Sequence, residues 1–271
     1  LATFAHENIL GKYSFIDSIV RGEGESTLVD LCATLNSHQD LNAVSGISFR
    51  NGANVVSNSS RKPIENLDSI PFPLRYNIND IRDARQYVVV SSSRGCQGGC
   101  SFCSLVGFNK KWRARSPVNL VDEIQELYEK GVRRISFEDE NFLGHVEGGR
   151  DRALEFSREL KRRNFPEAIK YKIMSRVDDL DEELLTEMKS SGLESIFIGI
   201  ESFNQRQLDL YNKHISPEDI HNLVKVLRKK EISAYFSFIM FDPFSTLDEV
   251  ANNVEQLSHV QEFTDYRRLY S

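Results

Sequence analysis

Long apolar runs, excess positive charge and cysteine are scarce or missing in this sequence. No apolar run approaches the length of a membrane span, and no charged-then-apolar signal segment opens the chain. The net charge of −6 argues against a broad nucleic-acid footprint. Only four cysteines occur in 271 residues, and three are clustered, which fits a reducing compartment better than a disulfide scaffold. We therefore expect a cytoplasmic protein with no membrane span and no nucleic-acid partner.

Several catalytic motifs are missing too. The chain has no glycine-rich phosphate loop, no helical pair of histidines for zinc and no nucleophile elbow of a seryl hydrolase. With 40% hydrophobic and 27% charged residues, the composition is that of a globular protein, and the length permits one large domain or two smaller ones. The chain starts at Leu1 and stops at Ser271 without a tail, so we expect it to be a piece of a longer chain.

The clustered cysteines are Cys96, Cys100 and Cys103, in the pattern CxxxCxxC on a loop rich in glycine and serine. Three thiolates so close can turn toward one point, and thiolates are the ligands of iron–sulfur clusters. Zinc would need a fourth ligand, but neither Cys32 nor His145 has the spacing for it. A disulfide would leave an odd thiol. The spacing therefore favours a four-iron cluster, and one of its irons would stay open to a small molecule.

From Tyr87 onward, β-prone runs alternate with amphipathic helices about five times, which is the pattern of a parallel sheet built from right-handed βαβ units. Ligands of such sheets gather at the carboxyl ends of the strands, and the cysteine loop follows the first strand. The predicted strands cover residues 87–91, 134–137, 171–174, 195–200 and 232–239, and the predicted helices cover residues 117–130, 150–163, 181–190, 205–210, 217–229 and 246–259.

The N-terminal part has a different pattern. An apolar run, a helical stripe that includes Cys32, and the turn Asn51-Gly52 between β-prone runs predict a strand, a helix and a hairpin. Cys32 lies on the apolar stripe, so we expect it to be a buried small hydrophobe. Prolines mark a linker after the hairpin. We predict an α/β unit, a linker and a larger domain over residues 1–62, 63–86 and 87–271, respectively.

The cysteine spacing, with Phe102 directly before the last cysteine, resembles that of the radical S-adenosylmethionine (radical SAM) superfamily. The resemblance implies that the three cysteines hold a 4Fe–4S cluster, that the open iron chelates S-adenosylmethionine, and that Phe102 shields the cluster. It implies reductive cleavage of S-adenosylmethionine to a 5′-deoxyadenosyl radical. It also implies an α/β fold with a partial (β/α)6-type barrel, whose sixth strand would begin near Tyr266 and be cut off.

A second resemblance covers the N-terminal part. Residues 20–25, the helix and hairpin that follow, and residues 67–73 resemble the run that leaves the cobalamin-binding domain of cobalamin-dependent radical SAM enzymes. This implies that residues 1–62 are the C-terminal remnant of a Rossmann-like cobalamin-binding domain and that the barrel of residues 87–271 is truncated. The alternative is an ordinary α/β edge unit.

Further motifs at the strand ends resemble cofactor-binding positions of the superfamily. An acidic run after the second strand implies contacts to the amino group of S-adenosylmethionine. The motif Gly-Ile-Glu-Ser after the fourth strand implies that its glutamate and the following serine face S-adenosylmethionine. A lysine in the next loop would pair with the methionine carboxylate. Backbone after the fifth strand would contact adenine, although phenylalanines replace the usual glycines there. The implied cofactor-binding residues are Phe102, Asp139, Glu140, Arg176, Glu201, Ser202, Lys213, Ile239 and Phe241.

Structural roles stay open for several of these residues. The acidic run after the second strand is also typical of a helix cap and a solvated turn. Arg176 also suits a surface ion pair with Asp178 or Asp179, and Lys213 also suits a solvated position. A basic run around Trp112 is interpreted as a solvated loop covering the cluster in preference to a nucleic-acid site, and it comprises Lys110, Lys111, Arg113 and Arg115.

The resemblance implies methyl transfer to an unactivated carbon or phosphorus centre with cobalamin, or dehydration, rearrangement or methylthiolation without it. It implies a small-molecule or natural-product substrate and an electron donor such as flavodoxin or ferredoxin. The residues alone also allow a non-catalytic iron–sulfur electron carrier or sensor. A fourth cluster ligand would favour that role, and the sequence shows no convincing one.

Overall fold

The computed structural model describes residues 2–76, 86–105, 111–165 and 167–261. The chain divides into two compact units, Leu1–Glu65 and Asn66–Ser271. The boundary lies inside the predicted linker of residues 63–86. The identities predicted for the two domains stay predictions. No helix among the described residues is long and apolar enough to cross a membrane.

The first unit contains two helices, a short 3-10 helix and an antiparallel sheet with the strand order β1-β2-β3. The predicted hairpin is present, and Gly52 at its turn has φ +61°, a backbone conformation that glycine adopts without steric cost. The elements are α1 (Ala2–Lys12), β1 (Ser18–Val20), α2 (Glu25–Asn36), the 3-10 helix (Leu41–Ala43), β2 (Ile47–Asn51) and β3 (Asn54–Ser57).

Two features of this unit differ from the prediction. Helix α1 was not predicted; it buries only Leu10, so it carries little apolar periodicity. The prediction that Cys32 is buried was wrong, because Cys32 is exposed. Helix α2 instead buries Thr27, Leu31 and Thr34. Consecutive helical residues are about 100° apart, so a one-residue change in the buried face moves Cys32 to the outside.

The second unit contains a five-stranded parallel sheet with the order β4-β7-β8-β9-β10, and a two-stranded antiparallel ribbon of β5 and β6. The predicted sixth strand near Tyr266 lies outside the described residues. The strands are β4 (Val88–Val90), β5 (Ser93–Arg94), β6 (Arg113–Ala114), β7 (Arg134–Phe137), β8 (Lys170–Arg176), β9 (Leu193–Glu201) and β10 (Ser233–Phe238). The helices are α3 (Pro117–Glu129), α4 (Gly149–Arg162), α5 (Glu182–Ser190), α6 (Gln205–Leu210), α7 (Pro217–Lys229) and α8 (Leu247–Gln261).

Local sequence signals account for several helix ends. The Ser116 side chain accepts a bond from Asn119 N–H at the start of α3, with proline in the first turn. Helix α7 starts with a capping box formed by Ser216 and Asp219. Gly131 follows α3 with φ +94°, a conformation that ends helices without steric cost for glycine. Helix ends marked in this way allow short connections, which place each helix back against its strand.

One buried apolar cluster joins the sheet to its helices. In β8, Tyr171 and Ile173 are buried while Lys170, Lys172 and Met174 are partly exposed, which is the two-residue alternation of a strand with one covered face. The core also includes apolar residues of α3, α4, α5 and α7. Because the five strands are parallel, their carboxyl ends lie at one edge of the sheet, and this edge carries the predicted site.

The basic run after the cysteine loop contains two buried arginines. Arg113 lies in β6 and is 5% exposed, and Arg115 is 9% exposed. The Arg115 guanidinium bonds Glu123 and Asn119, and this pairing compensates for its burial. The solvated-loop prediction was therefore wrong for these two arginines, whereas Lys111 is exposed. Lys110 lies outside the described residues.

Candidate cluster and cofactor site

Two acidic residues after β7 hold the start of the cysteine loop. Asp139 is 1% exposed and accepts bonds from the backbone N–H groups of Ser92 (2.7 Å) and Ser93 (3.0 Å). Burial raises the pKa of Asp139, while the bonds from the Ser92 hydroxyl and the backbone oppose that rise. Glu140 accepts a bond from Gly95 N–H at 3.0 Å. Both carboxylates therefore fix the chain between β4 and the first cysteine.

The far side of the loop is fixed by the segment after α6. Ser101 N–H donates to the Tyr211 carbonyl at 3.1 Å, and the Asn212 amide donates to the Gly99 carbonyl at 2.9 Å. The Phe102 ring meets Tyr211 edge-on, with ring centroids 5.7 Å apart, and is 48% exposed. The cysteine loop is therefore held by protein contacts on both sides.

All three loop cysteines are free, partly buried thiols. The sulfur of Cys96 accepts a bond from Gly98 N–H at 3.4 Å, and that of Cys100 accepts one from Arg176 Nη1 at 3.1 Å. Burial raises the pKa of the Cys96 thiol, and the Gly98 and Asn141 hydrogen bonds oppose the rise. Donors aimed at sulfur stabilise the thiolate form that metal binding requires.

The three cysteine sulfurs are not gathered as they would be around one small ion. Sulfur ligands of one tetrahedral zinc ion lie about 3.8 Å apart, given a Zn–S distance of about 2.3 Å. Among the described residues, the three cysteines do not form a group whose ligand atoms all lie within 4.8 Å of one another; His145, Asp178 and Asp179 do. The assignment of the cysteines as cluster ligands stays a prediction.

Arg176 links the cysteine loop to two other parts of the site. It is 5% exposed, and its Nε and Nη2 each lie 2.8 Å from a carboxylate oxygen of Asp178. Its Nη2 also donates to the Lys213 carbonyl. The ion pair with Asp178 is present, as one sequence interpretation held. Its guanidinium is buried, however, and the remaining nitrogen, Nη1, faces Cys100.

A buried ion pair ends strand β9. Glu201 and Lys213 are 7% and 2% exposed, and Lys213 Nζ lies 3.5 Å from a carboxylate oxygen of Glu201. The alternative of a solvated lysine was wrong. The Ser237 hydroxyl lies 3.0 and 3.1 Å from the two Glu201 oxygens. The pair offers one negative and one positive group, which is the complement of an amino acid's ammonium and carboxylate.

Backbone features keep this ion pair in place. Glu201 has φ +64°, the left-handed conformation that is costly for a residue with a side chain. Gly199 leaves space beside the pair, because a Cβ there would lie 2.7 Å from the Glu201 carboxylate and 3.2 Å from Lys213 Nζ. Strained conformations of this kind persist where the surroundings fix them and are frequent at functional sites.

The remaining predicted residues have other surroundings. Ser202 is fully buried, and its hydroxyl lies 2.6 Å from Gln207 Oε1. Ile239 N–H donates to the Glu201 carbonyl at 2.9 Å, so the backbone after β10 is tied to the ion pair. The Phe241 ring is 73% exposed. The cofactor contacts predicted for these residues stay predictions.

The sequence analysis missed several residues of the site. Asn141 and Asp179 share a 2.6 Å hydrogen bond beside the cysteine loop. Tyr211 donates to Asp242 at 2.5 Å while its backbone holds Ser101. Asn141 lies within the acidic run after the second strand, and the polar character of that run was the only available signal. The others depend on contacts between distant segments.

Residues 90–257 match the family profile described as the radical SAM superfamily. The chain belongs to the radical SAM superfamily. The cofactors of this superfamily are a 4Fe–4S cluster and S-adenosylmethionine. The family prediction and the α/β partial-barrel fold class are confirmed.

Similar proteins include a methyltransferase and a cyclase. The chain is 32% identical over 259 residues to an uncharacterized methyltransferase of Pyrococcus horikoshii, covering 93% of this chain and 55% of that protein. It is 32% identical over 250 residues to the anaerobic magnesium-protoporphyrin IX monomethyl ester cyclase of Cereibacter sphaeroides, covering 88% of this chain and 40% of that protein.

A solved structure with the same fold is that of the cobalamin-dependent S-adenosylmethionine radical enzyme OxsB, with aqua-cobalamin and S-adenosylmethionine bound. Its TM-score is 0.79 at 25% identity, and the match covers 94% of this radical SAM chain and 37% of OxsB. The chain thus spans about half or less of the length of these relatives.

Proposed function

We propose that the protein is a radical SAM enzyme that cleaves S-adenosylmethionine reductively at a 4Fe–4S cluster for cobalamin-dependent methyl transfer to an unactivated centre. The observation that carries the proposal is the arrangement of two features at one sheet edge. Three free thiols lie on one fixed loop, and Arg176 joins that loop to the backbone of Lys213. Lys213 in turn forms the buried pair with Glu201.

In this proposal Cys96, Cys100 and Cys103 each bind one iron. When bound, the cluster supplies the electron that breaks a carbon–sulfur bond of S-adenosylmethionine. Glu201 receives the ammonium group of the methionine moiety, and Lys213 receives its carboxylate. Each charged hydrogen bond of this kind contributes about 1.5–3 kcal/mol, which suffices to orient the sulfonium against the cluster.

The other predicted residues take supporting roles in this proposal. Asp139 and Glu140 hold the loop while facing the ammonium side, and Phe102 shields the cluster from water. The backbone at Ile239 and Phe241 receives adenine, and Ser202 fixes the turn after Glu201. The burial of Asp139 (1% exposed) and its bonds to Ser92 and Ser93 support its role in holding the loop.

Cobalamin enters the proposal through the relatives and the N-terminal unit. The OxsB structure contains aqua-cobalamin, and the match covers 94% of this chain. We infer that residues 1–62 belong to a cobalamin-binding domain joined by residues 63–86 to the radical SAM core. The Pyrococcus horikoshii relative is described as a methyltransferase, which supports methyl transfer over dehydration, rearrangement or methylthiolation.

The partners follow from the same chemistry. We propose a small-molecule or natural-product substrate and a flavodoxin or ferredoxin as electron donor, since a low-potential electron is needed. We propose the cytoplasm as the compartment, because free thiols next to an iron–sulfur cluster require reducing conditions.

The test is anaerobic reconstitution with iron and sulfide, followed by dithionite and S-adenosylmethionine. We expect 5′-deoxyadenosine to form, and S-adenosylmethionine to perturb the electron paramagnetic resonance signal of the reduced cluster. The Cys100→Ala variant, treated identically, is the control for non-specific iron. A loaded cluster with an unchanged signal at saturating S-adenosylmethionine, and no 5′-deoxyadenosine, would favour the electron carrier or sensor instead.

A further inference from the structure

A buried side-chain donor faces one of the three cysteine sulfurs. Arg176 Nη1 lies 3.1 Å from Cys100 Sγ. Arg176 is 5% exposed. In a water-poor environment a hydrogen bond to a charged acceptor is electrostatically stronger than in water.

Two consecutive aspartates bond Arg176 and its neighbour Asn141. Asp178 binds the Arg176 fork at 2.8 Å on both nitrogens. Asp179 Oδ2 accepts from the Asn141 amide at 2.6 Å, while its Oδ1 lies 2.8 Å from His145 Nδ1.

Both aspartates belong to the 3-10 turn Val177–Asp179, directly after β8. The turn therefore orients the donor that faces Cys100. A buried guanidinium has several rotamers, and the Asp178 carboxylate selects the one that faces sulfur.

Gly98 leaves the space that the Arg176 guanidinium occupies beside the cysteine loop. A Cβ on Gly98 would lie 2.8 Å from Arg176 Nη1 and 3.2 Å from its Cδ. Arg176 is held by Asp178, Cys100 and the Lys213 carbonyl, so it has no free direction in which to move. The loop glycine thus lets the guanidinium approach the sulfur.

We propose that Asp178 is a positioning residue that aims Arg176 at the Cys100 thiolate of the cluster and thereby raises the reduction potential of the cluster. The inference rests on the proposed function, because it requires a cluster on these cysteines. Hydrogen bonds to cluster sulfurs are among the features that set the potential. Reduction adds negative charge to the cluster, so donors aimed at its ligands stabilise the reduced form and make it accessible to a biological donor.

The direction in which one substitution changes the reduction potential distinguishes a positioning role from a simple effect of charge. Asp178→Asn removes a negative charge near the cluster, which by itself raises the reduction potential. If Asp178 acts by aiming Arg176, the same variant lowers the potential, because the guanidinium is no longer held against Cys100. Gly98→Ala tests the same contact with no change of charge, since the added methyl pushes Nη1 away from the sulfur.

The experiment is a redox titration of reconstituted protein, monitored by electron paramagnetic resonance without S-adenosylmethionine. We expect Arg176→Gln to lower the ratio of reduced to oxidised cluster about tenfold at fixed potential, which is about 59 mV for a one-electron couple. Smaller shifts of the same sign are expected for Gly98→Ala and Asp178→Asn. Arg176→Lys keeps the positive charge but cannot make the two-pronged guanidinium contact, so its reduction potential should lie between those of the unmodified protein and Arg176→Gln.

Matched controls use similar residues elsewhere. Arg162 also forms a fork with one carboxylate, that of Glu159, at 2.7 and 2.6 Å, and is 67% exposed; Arg162→Gln should leave the potential unchanged. Gly11 has nothing within 4 Å of an added Cβ, so Gly11→Ala is the control for Gly98→Ala.

The outcomes are distinguishable. If the unmodified chain takes up no cluster, the proposed function fails and this inference fails with it. If it takes up a cluster and the variants retain its potential, or if Asp178→Asn raises the potential, only the positioning inference fails. Should Arg176→Gln lose the cluster altogether, Gly98→Ala and Arg176→Lys still decide the question.

Discussion

The two ends of the candidate cofactor site are built differently. At the carboxyl end of β9, Glu201 and Lys213 are buried (7% and 2% exposed) and bonded to neighbours. After β10, Phe241, Phe244 and Leu247 are 73%, 65% and 88% exposed. The first end has its charges in place before a ligand arrives, whereas the second presents apolar side chains to solvent.

This difference suggests how binding energy is distributed. The Glu201–Lys213 pair is already ordered, so it loses little conformational entropy when the zwitterionic methionine moiety of the ligand binds. Exposed side chains, by contrast, must be ordered on binding at a cost of about 0.5–1.5 kcal/mol each. We therefore expect affinity for S-adenosylmethionine to depend mainly on Glu201 and Lys213. The predictions below test this comparison, starting with the cluster on which both ends depend.

The largest effect is expected at the cysteines. Cys96→Ala, Cys100→Ala or Cys103→Ala should each abolish the brown absorbance of a loaded cluster, because each removes one of three thiolate ligands. Cys32→Ala is the control, since Cys32 is exposed on another unit. Absorbance and iron content after anaerobic reconstitution decide the matter, and full loading in any of the three variants would contradict the assignment.

The next effect concerns the charged end of the site. Glu201→Gln and Lys213→Ala should weaken S-adenosylmethionine binding about tenfold or more, since each removes a charged bond and 1.4 kcal/mol is a factor of ten. Cluster loading should remain, because neither residue is an iron ligand. Anaerobic calorimetry measures the affinity, with Lys229→Ala as control for a lysine that is 68% exposed. Wild-type affinity in both site variants would show that the charged end does not bind the ligand.

A smaller effect is expected from crowding the same pair. Gly199→Ala would bring a Cβ within 2.7 Å of the Glu201 carboxylate, and overpacking a fixed site is unfavourable. Because both charges remain, we expect only about a three- to tenfold loss of S-adenosylmethionine affinity. Calorimetry on the reconstituted variant measures it. An unchanged affinity would mean that the pair has room to move and is less fixed than its contacts indicate.

Much of the second unit was predictable because its signals are local. The five strands are marked by apolar runs, and Ser116, Ser216 and the glycines after helices mark helix ends. The three cysteines and Glu201 were found from short motifs. In the same way, Asn51-Gly52 predicted the hairpin, since a two-residue turn depends only on its own sequence.

The rest depends on contacts that a linear sequence does not display. The burial of Lys213 follows from the positions of Glu201 and Ser237 on two neighbouring strands. The contact of Arg176 with Cys100 joins residues 76 positions apart. Cys32 was misplaced because a helix whose apolar residues lie on two sides does not specify which side is buried. Tertiary packing decides such cases.

The smallest effect is expected at the aromatic end. Phe241 is 73% exposed, so its ring buries little apolar surface in the protein itself. If adenine contacts the backbone near Ile239, as we propose, the side chain of Phe241 contributes mainly by covering the ligand. Phe241→Ala should then weaken S-adenosylmethionine binding less than about threefold, or about 0.7 kcal/mol. The same calorimetry provides the measurement, with Glu201→Gln as the reference for a large loss. A loss of tenfold or more would reverse the comparison, since it would make the exposed aromatic end, and not the buried ion pair, the main source of affinity.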